Sequence, residues 1–115
     1  MKNRSTEDAV QLWHNILSKL NGSPQEIQTV NKTGSAAGGK WFQVNVVDDT
    51  VYIDEAMINT PSSRLTNIRA ISKTEFMALY PNYFKWRAGT MSREQAKGNS
   101  MNSSYIFALI NSFDI

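Results

Sequence analysis

The sequence predicts an α+β fold: an N-terminal helix packed on a small antiparallel β-sheet, followed by short C-terminal helices. Three observations carry that expectation. An apolar stripe with helical spacing opens the chain, two runs of period-two alternation fill its middle, and capping residues punctuate its last third. The 115 residues suit a single domain, 1–115, with one hydrophobic core. Residues 1–72 are expected to hold the helix and sheet, and 73–115 to be helical.

Ala9, Leu12, Trp13, Ile16, Leu17 and Leu20 recur on one face of a helix spanning 5–21. Ser5 or Thr6 begins it, Glu7 and Asp8 suit its positive end, and Asn21-Gly22 stops it. Residues 26–32 alternate as an edge strand would, and 33–39 form a Gly/Ala/Ser connection. Residues 41–47 and 50–56 read as a hairpin around Asp48-Asp49. Phe42, Val44 and Val46 share one face and Trp41, Gln43 and Asn45 the other, while Val51 and Ile53 oppose Tyr52. A loop over 57–63 leads to a fourth strand, 64–71, with Leu65, Ile68 and Ile71 in imperfect period. Ser72 caps a short helix, 73–79. Pro81 suits the first position of another, ending at Ala88 before Gly89. Tyr80, Tyr83, Phe84 and Trp86 gather at that joint as expected core.

The stretch 92–113 reads as two short helices around a polar turn. Ser92 and Gln95 have the spacing of a capping box, and Ala96 is small enough for a close helix crossing. Gly98-Asn99-Ser100 breaks the helix, and Met101 is the apolar residue of the turn. Asn102, Ser103 and Ser104 can each cap the second helix. Tyr105, Ile106, Leu109, Ile110 and Phe113 lie on one face of it; Ser103, Ser104, Phe107 and Asn111 lie on the other.

Those parts are the skeleton of a helix-turn-helix, and Trp86 to Ala96 resembles in cadence the DNA-binding tails of bacterial resolvases and recombinases. Ser100 stands where that motif usually has Gly, and the second helix carries no Arg or Lys. The resemblance implies that Arg87, Arg93 and Lys97 hold phosphates while Ser103, Ser104, Phe107 and Asn111 face a groove. The Gly39-Lys40-Trp41-Phe42 hairpin start and the segment Tyr83 to Tyr105 make the whole chain similar to small proteins of bacterial mobile elements, integron gene cassettes in particular.

Charge agrees with phosphate contact. Residues 1–63 hold five Lys/Arg against seven Asp/Glu, whereas 64–115 hold seven against three. The absence of cysteine excludes disulfides and thiolate zinc sites. No apolar run approaches the ~20 residues of a membrane span, so no membrane partner is expected. Met1-Lys2-Asn3-Arg4 leads into an amphipathic helix rather than an apolar signal core, and the cytoplasm is the expected compartment.

No cofactor is expected. Gly34 to Lys40 has the spacing of a phosphate-binding loop, but Trp41 follows where Ser or Thr must hold magnesium, and the next segment is β-patterned. The single histidine, His14, reads as a surface residue of the first helix. Asp48-Asp49 and Asp54-Glu55 are paired carboxylates of the kind that hold a divalent cation or divide acid and base roles. The first pair also suits a turn, and the second puts its members on opposite faces of a strand.

The expected function is therefore that of a non-enzymatic DNA-binding accessory or regulatory protein. A homodimer is expected because Leu109, Ile110, Phe113 and Ile115 put much apolar surface near one end. The alternatives are a binding module whose sheet and aromatic cluster take a small molecule or a protein, and an enzyme built on the acidic pairs.

Overall fold

The computed structural model describes residues 6–65 and 67–114. Met1 to Ser5, Thr66 and Ile115, which bear on the expected helix start, fourth strand and apolar terminus, lie outside the described residues. The elements in order are α1 (Thr6–Leu20), β1 (Gln25–Gln28), β2 (Trp41–Val47), β3 (Thr50–Glu55), β4 (Arg69–Ile71), α2 (Lys73–Arg87), α3 (Arg93–Ala96) and α4 (Ser103–Phe113). The four strands form an antiparallel sheet in chain order, with the helices on one face: the expected α+β arrangement.

Alternation decides which face is covered. Phe42 pairs with Ile27 and Glu55, Val44 with Ile53, and Val46 with Val51, which in turn meets Ile71. The six apolar members of those pairs, with Phe42, are buried against the helices. Glu26, Gln28, Trp41, Gln43, Asn45, Tyr52 and Asp54 fall on the other, half-exposed face. At the hairpin Asp48 takes a positive φ of 55°, a conformation Asp tolerates better than most residues.

Two strands are shorter than their sequence suggests. β1 stops at Gln28, because Thr29 there turns its hydroxyl as well as its backbone to Lys40. β4 begins only at Arg69, since the Leu65 N–H donates to the Glu55 carboxylate (2.8 Å) instead of to a strand. Ile68 is consequently exposed.

α2 is one helix where the sequence reads as two. Ser72 caps it, accepting from the Glu75 N–H at 3.1 Å, and it runs unbroken through Pro81. A mid-helix proline costs about 3 kcal/mol through a missing N–H and a ring clash. Burial of Phe76, Leu79, Tyr80, Tyr83 and Trp86 along the whole helix outweighs that, at roughly 1.5–3 kcal/mol for each large side chain. Trp13 of α1 meets Phe76 (ring centroids 5.1 Å apart), and Tyr83 and Trp86 meet Phe107 of α4.

α4 is the central helix. Ser103, Tyr105 to Ile110 and Phe113 are buried, leaving Ser104 and Ser112 exposed and Asn111 half-buried. A helix apolar nearly all round has to be enclosed, and α1, α2 and the sheet enclose this one. Leu109, Ile110 and Phe113, three of the four residues whose apolar surface suggested a dimer, are thus spent inside the chain's own core.

Beyond β3, residues 57–59 of the loop are held by one carboxylate. Glu26 Oε2 accepts from the N–H groups of Met57 (2.7 Å) and Ile58 (3.0 Å), and Oε1 from the N–H (2.9 Å) and Nδ2 (2.8 Å) of Asn59. The loop thereby presents Met57 and Ile58 at 83% and 84% exposure. Partial desolvation pushes the Glu26 carboxyl upward, but the hydrogen bonds from Asn59, Met57 and Ile58 outweigh it and its pKa lies below the usual carboxylate range.

Two outcomes are expected. Phe107→Ala, which empties a site only 1% exposed, should destabilise by ~3–5 kcal/mol in denaturant unfolding. For Glu26 the folded pKa is depressed. Its contribution is therefore complete above the ordinary carboxylate pKa and is lost as pH falls through the folded value. Amide exchange at residues 57–59 should accelerate over that acid window, and Glu26→Gln should show fast exchange already at pH 7.

Candidate functional site

The capping box at Ser92 forms as expected: the Gln95 N–H donates to Ser92 Oγ (3.1 Å) and the Ser92 N–H to Gln95 Oε1 (3.1 Å). It starts α3 so that Arg93 points back over the other helices. Arg93 Nη2 donates to Ser103 Oγ and Ser104 Oγ, both at 3.1 Å. Its guanidinium lies 4.8 Å from the Phe107 ring centre and 5.5 Å from that of Trp86, and the two rings stack at 5.3 Å. Burial pulls the Arg93 pKa down, with Glu94 opposing, yet an arginine stays charged at any working pH.

Four residues expected to contact DNA are thus brought together, but facing one another. Phe107 is core, Ser103 is buried, and Ser104 alone of the second-helix set is fully exposed. The expectation of an open face formed by Ser103, Ser104, Phe107 and Asn111 is corrected for two of its members: Ser103 and Phe107 are buried beneath Arg93 and α2, whereas Asn111 is half-buried and Ser104 exposed. Met101, which a helix-turn-helix would bury in its turn, is 81% exposed. Lys97 pairs with Glu94 at 3.4 Å on the surface, a contact of little energetic weight.

Arg87 and Asn111 make a different site. Tyr83 and Arg87 are one turn apart on α2, and Asn111 faces them from α4. Arg87 Nη1 donates to Tyr83 Oη (2.7 Å) and, at 3.5 Å, to Asn111 Oδ1; Tyr83 Oη donates to that same oxygen (3.0 Å). Arg87 Nη2 donates to the Thr33 carbonyl (3.2 Å), and the guanidinium lies 5.6 Å from the Tyr83 ring centre. Gly34, at φ +82°, allows this approach, since a Cβ there would stand 2.6 Å from Arg87 Nη2.

These residues open on a cleft of about 430 Å³ between α2 and α4, lined by Tyr83, Phe84, Arg87, Ala88, Ile110, Asn111 and Asp114. That volume lies within the usual range for a small-ligand pocket. No carboxylate pairs with Arg87 among the described residues, although the side chain is fixed by three neighbours. Tyr83 is expected from sequence only as core, and Asp114 is not singled out there. Tyr83 and Arg87 both fall in the helix expected from Pro81 to Ala88, so their one-turn spacing is legible in the sequence; the meeting with Asn111 and Thr33 is not.

The remaining motifs serve structure. In the glycine-rich stretch Asn31 Oδ1 accepts from Thr33 N, Thr33 Oγ1 and Ser35 N, while Gly34 N and Gly39 N donate to the carbonyls of Asn31 and Ala36. Its amides therefore serve the loop rather than a phosphate. Asp54 accepts from the Glu55 N–H, and Glu55 from Leu65. His14 is exposed, and no group of three metal-ligating side chains exists among the described residues. No helix among those residues is long and apolar enough to cross a membrane.

Arg93→Ala should therefore destabilise the fold by ~1–3 kcal/mol, through lost stacking and the stranded hydroxyl of buried Ser103. Denaturant unfolding measures it; a change below about 0.5 kcal/mol would mark Arg93 as an ordinary solvated side chain. No family model, curated protein or solved structure matches this chain, so what it does must be read from its own geometry.

Proposed function

We propose that the protein is a non-enzymatic binding module that takes an anionic group in the cleft between α2 and α4. The observation that supports this is Arg87. A guanidinium has five N–H donors, and three protein acceptors leave some of them unused. Its planar fork suits a carboxylate or a phosphate, and its position is set before any ligand arrives.

A DNA-binding role is the second reading, by a changed route. Lys32, Lys85 and Arg87 are exposed, and Lys32 Nζ lies near Gly89, just past the end of α2. Phosphate contact at that end needs no recognition helix and fits the basic excess of residues 64–115. For the expected homodimer, the exposed Met57 and Ile58 tip offers a different basis from the residues the sequence suggested.

Titration with sodium acetate, inorganic phosphate and random duplex DNA, followed by amide chemical shifts, tests both readings. Acetate or phosphate should perturb Tyr83, Arg87 and Asn111, and Arg87→Met should weaken binding by about ten-fold or more. Duplex binding at low salt that falls steeply with added salt would favour the DNA reading. Silence of the cleft toward both small anions would sink the first reading.

A further inference from the structure

We infer that the uncovered face of the sheet closes against a second copy of the chain, about a twofold axis that lies between the two sheets and runs across their strands. The helices lie on the other face, so this one has no second layer. Alternation puts Trp41, Gln43, Asn45 and Val47 of β2 on it, with Tyr52 and Asp54 of β3. No strand places a Lys or Arg there: Arg69 of β4 turns to the helix side, where it donates to the Met101 carbonyl and lies over the Tyr105 ring. Val47 is 50% exposed, and the side chains of Trp41, Gln43 and Tyr52 make no hydrogen bond or ring contact with the described residues. Met57 and Ile58 form an apolar lip beside this face, because Glu26, which holds their amides, belongs to it. Aromatic and aliphatic surface depleted in charge is the composition of a protein interface core, and a polyanion finds no cation on it.

The strand register makes this face complementary to itself. Gln43 is level with Asp54 on the neighbouring strand, and Asn45 with Tyr52. A twofold across the strands reverses their direction and keeps each strand over its own copy. Gln43 then faces the partner's Asn45, amide to amide, and Asp54 faces the partner's Tyr52, a carboxylate to a phenol O–H. Trp41, at one end of β2, covers the partner's Val47 at the other end. Just beyond them exposed Lys40 comes opposite the partner's Asp48-Asp49 turn, whereas a twofold along the strands would set the two acidic turns against each other. Strand spacing and rise make the face roughly 15 Å by 20 Å. That is below the standard interface of about 800 Å² per partner, so the dimer is a reversible one with a micromolar dissociation constant. The Arg87 cleft lies on the helical side and stays open in both copies.

Sedimentation equilibrium over a range of concentrations tests this and should show a monomer–dimer exchange. Trp41→Ala should raise the dissociation constant about ten-fold or more, the scale of losing one aromatic anchor. Lys40→Glu should also weaken the dimer, and adding Asp49→Lys to it should restore association. Met101→Ala, on the exposed turn between α3 and α4, should change nothing. Trp13 and Trp86 are buried in the core, so acrylamide quenching reports chiefly on Trp41 and should fall as the dimer fills. Circular dichroism melts would establish that the variants fold. A monomer up to about 1 mM, too weak for any specific dimer, would overturn the inference and leave the face to another partner. A dimer that leaves Trp41 open to acrylamide, or that Met101→Ala weakens and Trp41→Ala does not, uses a different surface and would overturn it as well. Failure of Asp49→Lys to rescue Lys40→Glu would overturn the direction of the twofold.

Discussion

Enclosure of α4 is the constraint on which the other elements depend. With Tyr105 to Ile110 buried in succession, this helix cannot lie on a surface and must be covered on every side. Phe107 is the pivot of that cover, stacked on Trp86, tilted against Tyr83 and crossed by the Arg93 guanidinium. On the opposite side Tyr105 meets Phe42 of the sheet edge-on at 4.9 Å, and its hydroxyl shares a hydrogen bond with Ser63. α2 runs continuously through Pro81, so that Phe76 meets Trp13 of α1 while Tyr83 and Trp86 meet Phe107 of α4.

Arg87 and Arg93 show how position decides the role of a charge. Both lie near helix ends and both carry ring contacts. Arg93 begins α3 and is drawn over the core, where two serine hydroxyls and two rings satisfy it. Arg87 ends α2 and remains exposed, fixed by Tyr83, Asn111 and Thr33 but paired with no carboxylate among the described residues. The first is the joint between α3 and α4; the second faces a cleft.

Carboxylates and amides hold the loops. Glu26 gathers residues 57–59, Glu55 takes Leu65, and Glu75 accepts from Ser100 Oγ (2.6 Å) and Asn102 Nδ2 (3.2 Å). Asn31 does the same for the glycine-rich stretch. Glu55, which in the sequence resembles a catalytic candidate, thus satisfies a backbone donor that no strand or helix reaches, as Glu26 and Asn31 also do. Asn102 illustrates the competition: it stands at the N-cap of α4, yet its side chain serves Glu75 and makes no capping bond.

The sequence by itself determined what is local and periodic. The α1 stripe, the β2–β3 hairpin about Asp48-Asp49, the Ser72 and Ser92 caps and the burial of Ala96 all follow from spacing and from short-range hydrogen bonding, which a linear pattern records. Tertiary structure alone decided the rest. That Pro81 is carried inside a helix depends on partners for five buried side chains contributed by the other helices. That Phe107 is core, despite serines at 103 and 104 on its own face, depends on Arg93 and Trp86 arriving from elsewhere to cover it. The cleft around Arg87 joins residues from α2, α4 and the loop at Thr33, up to 54 positions apart in hydrogen-bonded contact, and no periodicity within one segment encodes such a meeting.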